Sequence, residues 1–398
     1  MKTYKDIKIG CYAIAAGEPE KFIDRWLDSM NGADYIIVFI TKENDPNYNY
    51  FLNKQQLPQF KNKLIVGQGQ ISPWRFDVAR NEGMKLIPED KIDVLVCTDI
   101  DEIMIPDFWD DLRTVVAEYP DFERIYYKYA WSHNDDGSNG RVFWYDKIHG
   151  PKGWKWEYPV HETLTCPNKN QYGYKNKYYL NQDKVYLHHY PDQTKSRKSY
   201  LNLLELRVKE NPSDLYGAYY LVREYGFNAM WDKGLDVGFQ LYRECLSRNQ
   251  YGQYAKYDLL PSIANQLGNY CNKLKMNNEA DFFYKRAIEF NPSLRDSYMD
   301  YAQFLVWNGR YGEADQILND GLEKSQRVYD WREADCNWTW RPLQIEADIL
   351  CWRGHYTEAL QKFQEAQTYL NGVNDTQEAL RHGFYGDYEW LRKKLGIQ

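Results

Sequence analysis

In the second half of the chain, small and aromatic residues return at fixed intervals. Leu267 and Gly268 are followed by Ala280, Tyr284, Ala287 and Pro292, and Ala314 stands 34 residues beyond Ala280. An interval of this length is one pair of antiparallel helices, in which small residues at the contact let the helices approach closely. Such a pair cannot bury its apolar face alone, so successive pairs must stack. Gly309, Tyr311 and Glu313 lead into Ala314. A further unit, Gly354-His355-Tyr356-Thr357-Glu358-Ala359 with Phe363 and Ala366, places its alanine 45 residues after Ala314. Relative to the shorter period about 11 residues are inserted, and the Trp-rich segment 329–340 is their expected place.

This spacing is the tetratricopeptide pattern; a plain helical bundle is the other reading. Solenoids of this kind present a concave binding face. Before residue 190 the rhythm is different. Residues 8–15, 35–40, 63–67 and 92–99 read as strands, and residues 20–30 and 74–87 as helices. Strand alternating with helix predicts an α/β domain with a largely parallel sheet, in which ligands sit beyond the carboxyl ends of the strands. The expected organisation is an α/β domain over residues 1–210 and an all-α tetratricopeptide-like repeat domain over 211–398.

Composition removes several classes. No apolar run approaches the roughly 20 residues of a membrane span. The first residues, MKTYKDIKIG, lack the apolar core of a secretory signal, so a cytoplasmic protein is expected. The seven cysteines are scattered with no Cys-x-x-Cys, which points to neither a disulfide framework nor a zinc site. A net charge of −7 disfavours a nucleic-acid partner without excluding a local basic groove.

The chemistry concentrates at Val96-Cys97-Thr98-Asp99-Ile100-Asp101-Glu102. If the backbone stays extended, Asp99 and Asp101 point the same way and can converge on a hard cation such as Mg²⁺ or Mn²⁺. The plainer reading is an acidic turn or a helix start, with Glu102 as a structural charge. Five of the seven histidines, His133, His149, His161, His188 and His189, fall in one segment, with a His161-Glu162 pair inside it. Histidine can complete a Mn²⁺ shell, and a positioned glutamate can act as a base. Arg75, Asp77, Arg80 and Asn81 recur at helical spacings and can either reach a phosphate or ribose or form their own ion pairs.

Six blocks in order carry a resemblance. They are residues 11–38, 73–88 (PWRFDVARNEGMKLIP), 96–106 (VCTDIDEIMIP), 129–140, 146–164 and 188–214. Together they resemble family 2 glycosyltransferases of the GT-A fold, the bacterial and phage-encoded group with C-terminal tetratricopeptide repeats. The resemblance implies a metal-dependent, inverting transfer of a sugar from a nucleotide donor, UDP-hexose being the expected one, to a macromolecular acceptor. That acceptor is a protein, peptide, glycan or modified nucleic acid. It implies Asp99 at the ribose or the metal, Asp101 on the metal, and His189 or His188 as the remaining ligand. Glu162, with His161, would serve the acceptor as base. Ala13, Arg75, Asp77, Arg80, Lys195 and Arg197 would meet the donor, the last two from a closing loop. Related enzymes carry Asp-Thr-Gly-Ser-Thr-Asp after the second strand; here the stretch is Ile40-Thr41-Lys42-Glu43-Asn44-Asp45. Glu43 or Asp45 would have to read the base. The repeat domain is expected to bind the acceptor or to mediate self-association. A non-catalytic adaptor, with a degenerate sugar-nucleotide domain beside a partner-binding repeat, is the competing expectation.

Overall fold

The structure is a computed structural model that describes residues 3–134, 136–166, 176–192, 200–249, 259–327, 332–372 and 376–397. It divides into two compact units, one of residues 1–132 and 141–207 and one of 133–140 and 208–398.

The first unit begins with β1 (Ile9–Ala15), α1 (Glu20–Ser29), β2 (Tyr35–Ile40), α2 (Pro46–Gln55), β3 (Leu64–Gln68), α3 (Phe76–Met84) and β4 (Val94–Cys97). It continues with β5 (Glu102–Met104), α4 (Asp107–Glu118), β6 (Arg124–Ala130), β7 (Val142–His149), β8 (Lys155–Glu157), β9 (Thr163–Thr165), β10 (Lys177–Tyr179) and β11 (Val185–His189). Helix α5 (Tyr200–Glu210) crosses the division between the units. Among the described residues, one sheet of nine strands runs in the order β3-β2-β1-β4-β7-β6-β11-β5, with β10 added on β6.

The first four strands are parallel, as their continuous apolar runs require when both faces are covered. The expected largely parallel sheet ends there. Strand β7 runs antiparallel to both β4 and β6, and β5 antiparallel to β11, so the sheet is mixed. The strand order turns back at β1, whose neighbours β2 and β4 lie on opposite sides of it. Crevices at such a switch point, beyond the strand carboxyl ends, are where open α/β sheets bind ligands. Beneath it lies a core of Ile9, Cys11, Trp26, Ile36, Val38, Val94 and Val96.

The second unit holds α6 (Leu215–Phe227), α7 (Trp231–Asn249), α8 (Leu259–Lys273), α9 (Asn277–Phe290), α10 (Arg295–Trp307) and α11 (Tyr311–Lys324). It closes with α12 (Trp340–Trp352), α13 (Tyr356–Gly372), α14 (Thr376–Arg381) and α15 (Phe384–Lys394). Consecutive helices pair as α6/α7, α8/α9, α10/α11 and α12/α13. Ala280, Ala314 and Ala359 are each the fourth residue of their helix and fully buried, so the alanine spacing read from the sequence is the true repeat register. The turns within the pairs each carry one residue at positive φ: Ala229 (54°), Lys275 (63°), Gly309 (72°) and Gly354 (82°). The insertion is also in its expected place. Helix α9 ends at Phe290 and α10 starts at Arg295, whereas α11 ends at Lys324 and α12 starts only at Trp340. This unit is a tetratricopeptide-like helical repeat.

Gly268 shows why the pattern requires a small residue. A Cβ there would lie 2.8 Å from two carbons of the Tyr284 ring. That ring is buried, and its hydroxyl donates to Asn269 Oδ1 at 2.8 Å, so it cannot retreat. Gly268→Ala should therefore destabilise the protein by about 1–3 kcal/mol despite its better helix propensity. Urea unfolding measures the change, and an unchanged or raised midpoint would contradict this packing.

Candidate functional site

Strand β4 stops at Cys97 because the backbone turns. Asp99 N–H donates to the Glu102 carboxylate at 2.9 Å, and Glu102 N–H donates to Asp99 C=O at 3.1 Å. This closed turn corrects the extended-strand expectation for 99–101, and the two aspartates diverge instead of converging. Asp99 faces Arg80 and Lys147, and Asp101 faces His189.

Arg80 projects from α3 and is almost fully buried. Its guanidinium donates to Asp99 Oδ1 at 2.8 Å, to Cys97 Sγ at 3.2 Å and to Glu162, while lying 5.2 Å from the Trp156 ring centre. Asn81, the next residue, fastens β8 to α3 by exchanging two hydrogen bonds with the Trp156 backbone, of 2.8 and 2.9 Å. Lys147 Nζ lies 3.6 Å from Asp99 Oδ2, beyond hydrogen-bond range, and rests over the Tyr145 ring. It reaches the site because β7 pairs antiparallel with β4.

These contacts set the charges. Burial works against the charged form of Asp99, but Arg80 and Lys147 outweigh it and hold the carboxyl well below its ordinary range. Burial likewise opposes the charge of Glu162, and Arg80 again prevails, so its carboxyl is lowered. Glu102 goes the other way. Burial, reinforced by the Asp99 charge, pushes it up to about 7. His189 is raised despite burial, because its Nε2 lies 3.4 Å from Asp101 Oδ2. Its Nδ1 lies 3.1 Å from the Trp131 carbonyl.

The other sequence candidates scatter. Arg75 and Asp77 form a two-pronged ion pair with each other, of 3.0 and 2.9 Å. Ala13 is buried in the core, two residues before β1 ends. His188 and His189 are consecutive on β11, so their side chains leave opposite faces of the sheet. His149 is buried, with Nδ1 on the Gly150 carbonyl at 2.7 Å and Nε2 3.0 Å from the Tyr12 hydroxyl; burial drops its pKa to about 3. His133 belongs to the second unit. His161 sits at a positive φ of 48°, and its carbonyl takes a hydrogen bond from Arg207 at 2.6 Å. The histidine cluster of the sequence is thus not one site. Asp45 caps α2 through Asn47 N–H at 3.0 Å and accepts from Gly17 N–H at 2.9 Å, so its carboxylate pins the loop after β1. Lys195 and Arg197 lie outside the described residues.

Among the described residues, no group of three or more His, Cys, Asp or Glu side chains is arranged to hold a metal. The Asp101–His189 pair supplies two ligand atoms at a separation suited to a shared ion. A hard divalent cation that takes one or two protein ligands and completes its shell with phosphate oxygens and water fits that pair. Asp99, engaged by two cations, does not add a free third ligand.

No family model matches the chain. No curated protein matches it either. Solved structures that resemble it include YrrB, a tetratricopeptide protein with an unusual peptide-binding site. It is 15% identical at a TM-score of 0.30, over 42% of this chain and 75% of that one. TTC0263, a tetratricopeptide protein of Thermus thermophilus, is 17% identical at 0.35, over 48% and 89%. A tetratricopeptide repeat protein of Parabacteroides merdae is 14% identical at 0.35, over 50% and 67%. At such scores, the description of the helical unit rests on its own register and helix pairing. No described helix is long and apolar enough to cross a membrane.

Proposed function

We propose that the first unit is a GT-A-type glycosyltransferase domain that moves a sugar from a nucleotide donor to an acceptor held by the helical unit. The observation that carries this reading is the carboxylate turn 99–102 at the carboxyl end of β4. It stands beside the strand-order switch, with Asp101 facing His189. Asp101 and His189 would hold a divalent cation on the donor diphosphate. When bound, that ion offsets charge developing on the leaving group. Asp99 accepts from Arg80 through Oδ1, and its Oδ2, with Lys147 beyond hydrogen-bond range, would accept from a ribose hydroxyl.

The acceptor oxygen attacks the anomeric carbon as the bond to the diphosphate breaks. The acceptor proton passes to a carboxylate on the opposite side, in a transition state like that of glycoside hydrolysis. Glu162 is ionised, as a base must be, and Arg80 fixes its position at the cost of basicity. The same ion pairs favour a second reading, in which Arg80 merely neutralises the Glu162 and Asp99 carboxylates and the domain is a non-catalytic adaptor.

The two readings separate in one assay. The full chain is incubated with Mn²⁺ and a panel of UDP-, GDP- and dTDP-sugars, and released nucleoside diphosphate is measured. One donor should be hydrolysed slowly, and Asp101→Ala should reduce that rate by at least about tenfold. No turnover and no binding across the panel would leave the adaptor reading standing.

A further inference from the structure

The helical unit carries a cavity of about 510 Å³ where the start of α9 meets the turn between α10 and α11. Asn277, Asn278, Asp281, Phe304, Asn308 and Arg310 line it. Its size lies within the ordinary range for small-molecule pockets.

The charges of this cavity are already balanced. Asp281 accepts from Arg310 at 2.5 Å, from Tyr301 at 2.8 Å and from Lys285 at 2.6 Å. Arg310 also grips Glu313 with bonds of 2.8 and 2.6 Å. Two cations therefore face two carboxylates, and an ionic ligand gains little from entering. The amides are only partly used. Asn277 donates to Asn308 Oδ1 at 3.0 Å, and Asn308 donates to the Phe304 carbonyl at 2.8 Å. Asn277 Oδ1 and the whole amide of the exposed Asn278 make no hydrogen bond among the described residues. Amides offer a donor and an acceptor side by side, the pattern that vicinal hydroxyls complement.

Indole surface adjoins this rim. Trp307 lies three residues after Phe304 on α10, hence beside it on the helix surface, and is 47% exposed. Trp352 is 60% exposed and stacks 4.7 Å from Tyr311, the neighbour of Arg310. Lys273 Nζ lies over the Trp307 ring, 5.9 Å from its centre, and the rest of that half-exposed indole, next to uncharged amides, suits a ligand with apolar C–H faces and polar edges.

We propose that this edge of the helical unit binds a neutral oligosaccharide, with Trp307 as the stacking platform and Asn278 as a hydroxyl partner. The site is independent of donor chemistry in the first unit and stands or falls separately. Cellotriose, maltotriose and chitotriose are the probes, with Gly-Ser-Gly as the peptide control. Saturation-transfer NMR and calorimetry on the full chain should detect at least one trisaccharide. Trp307→Ala and Asn278→Ala, both at exposed positions, should each weaken it about tenfold or more, with unfolding curves confirming the fold. The Asp101→Ala protein should bind it unchanged, which separates this site from the transfer reaction. Silence from all three sugars, affinity untouched by both variants, or preferential capture of the peptide would each overturn the proposal.

Discussion

Arg80→Met should cost about 3–5 kcal/mol of unfolding free energy at neutral pH, because it strips the counter-charge from a buried carboxylate. Arg80 is 4% exposed and Glu162 is 10% exposed, so water cannot take over the role of the guanidinium at Glu162. Asp99 is 38% exposed and keeps a second cation in Lys147, so its share of the loss is smaller. Methionine fills the space over Trp156 but offers no donor. Lysine fails for another reason: it cannot meet Asp99, Glu162 and Cys97 from one planar group.

The pH dependence identifies the cause. In the wild type the Glu162 carboxyl is depressed, so its contribution to stability is present above the ordinary carboxylate range and is lost as pH falls through the folded value. In Arg80→Met that carboxyl should rise and protonate readily, so the deficit should shrink as pH falls from about 7 towards about 4. Adding Glu162→Gln to Arg80→Met should restore part of the loss, since no buried charge then remains unpaired. Urea unfolding across this pH range decides the matter. A deficit that stays constant with pH, and that the double variant does not relieve, would show lost packing rather than a stranded carboxylate.

The sequence revealed what depends on local periodicity. The strands at Ile9–Ala15 and Tyr35–Ile40, the helix Glu20–Ser29 and the buried alanines at 280, 314 and 359 all follow from apolar spacing over a few residues. It could not reveal what depends on long-range pairing. Lys147 sits in an unremarkable Asp-Lys-Ile-His, and only the antiparallel register of β7 on β4 brings it to Asp99. The opposed faces of His188 and His189 follow from strand alternation, but recognising the strand was not enough to show which histidine would face Asp101. The turn at 99–102 hid inside an apparent strand end, because Glu102 folds its own carboxylate back onto Asp99 N–H. On an extended backbone Asp99 and Asp101 converge; here the backbone bends and gives them different partners.

In the helical unit the largest loss should come from Asp300→Ala, again about 3–5 kcal/mol. Asp300 on α10 ties together three helices that the repeat stacks. Its Oδ1 meets Arg341 of α12 at 2.7 Å, and its Oδ2 accepts from Asn265 and Asn269 of α8 at 2.6 and 2.9 Å. Arg341 is 4% exposed and Asp300 14%, so truncation strips a buried guanidinium of its carboxylate partner and two amides of their acceptor. Asp300→Asn should cost less, because an amide oxygen can still accept.

Acid titration distinguishes this network from simple cavity formation. Burial opposes the Asp300 charge, but Arg341 outweighs it and lowers the carboxyl, so its stabilisation is present above the unfolded value and fades on acidification. Asp296, on the same helix, carries the opposite sign. Burial lifts it to about 7, so its contribution is complete at low pH and is lost as pH rises through about 7. The wild-type unit should therefore be most stable between these two limbs. Asp300→Ala should flatten the acid limb and leave a weaker alkaline one, because the Asp300 charge adds to burial in raising Asp296. An acid limb of undiminished slope in that variant would mean that other carboxylates drive the acid sensitivity, and that the Asp300–Arg341 pair contributes packing but little charge.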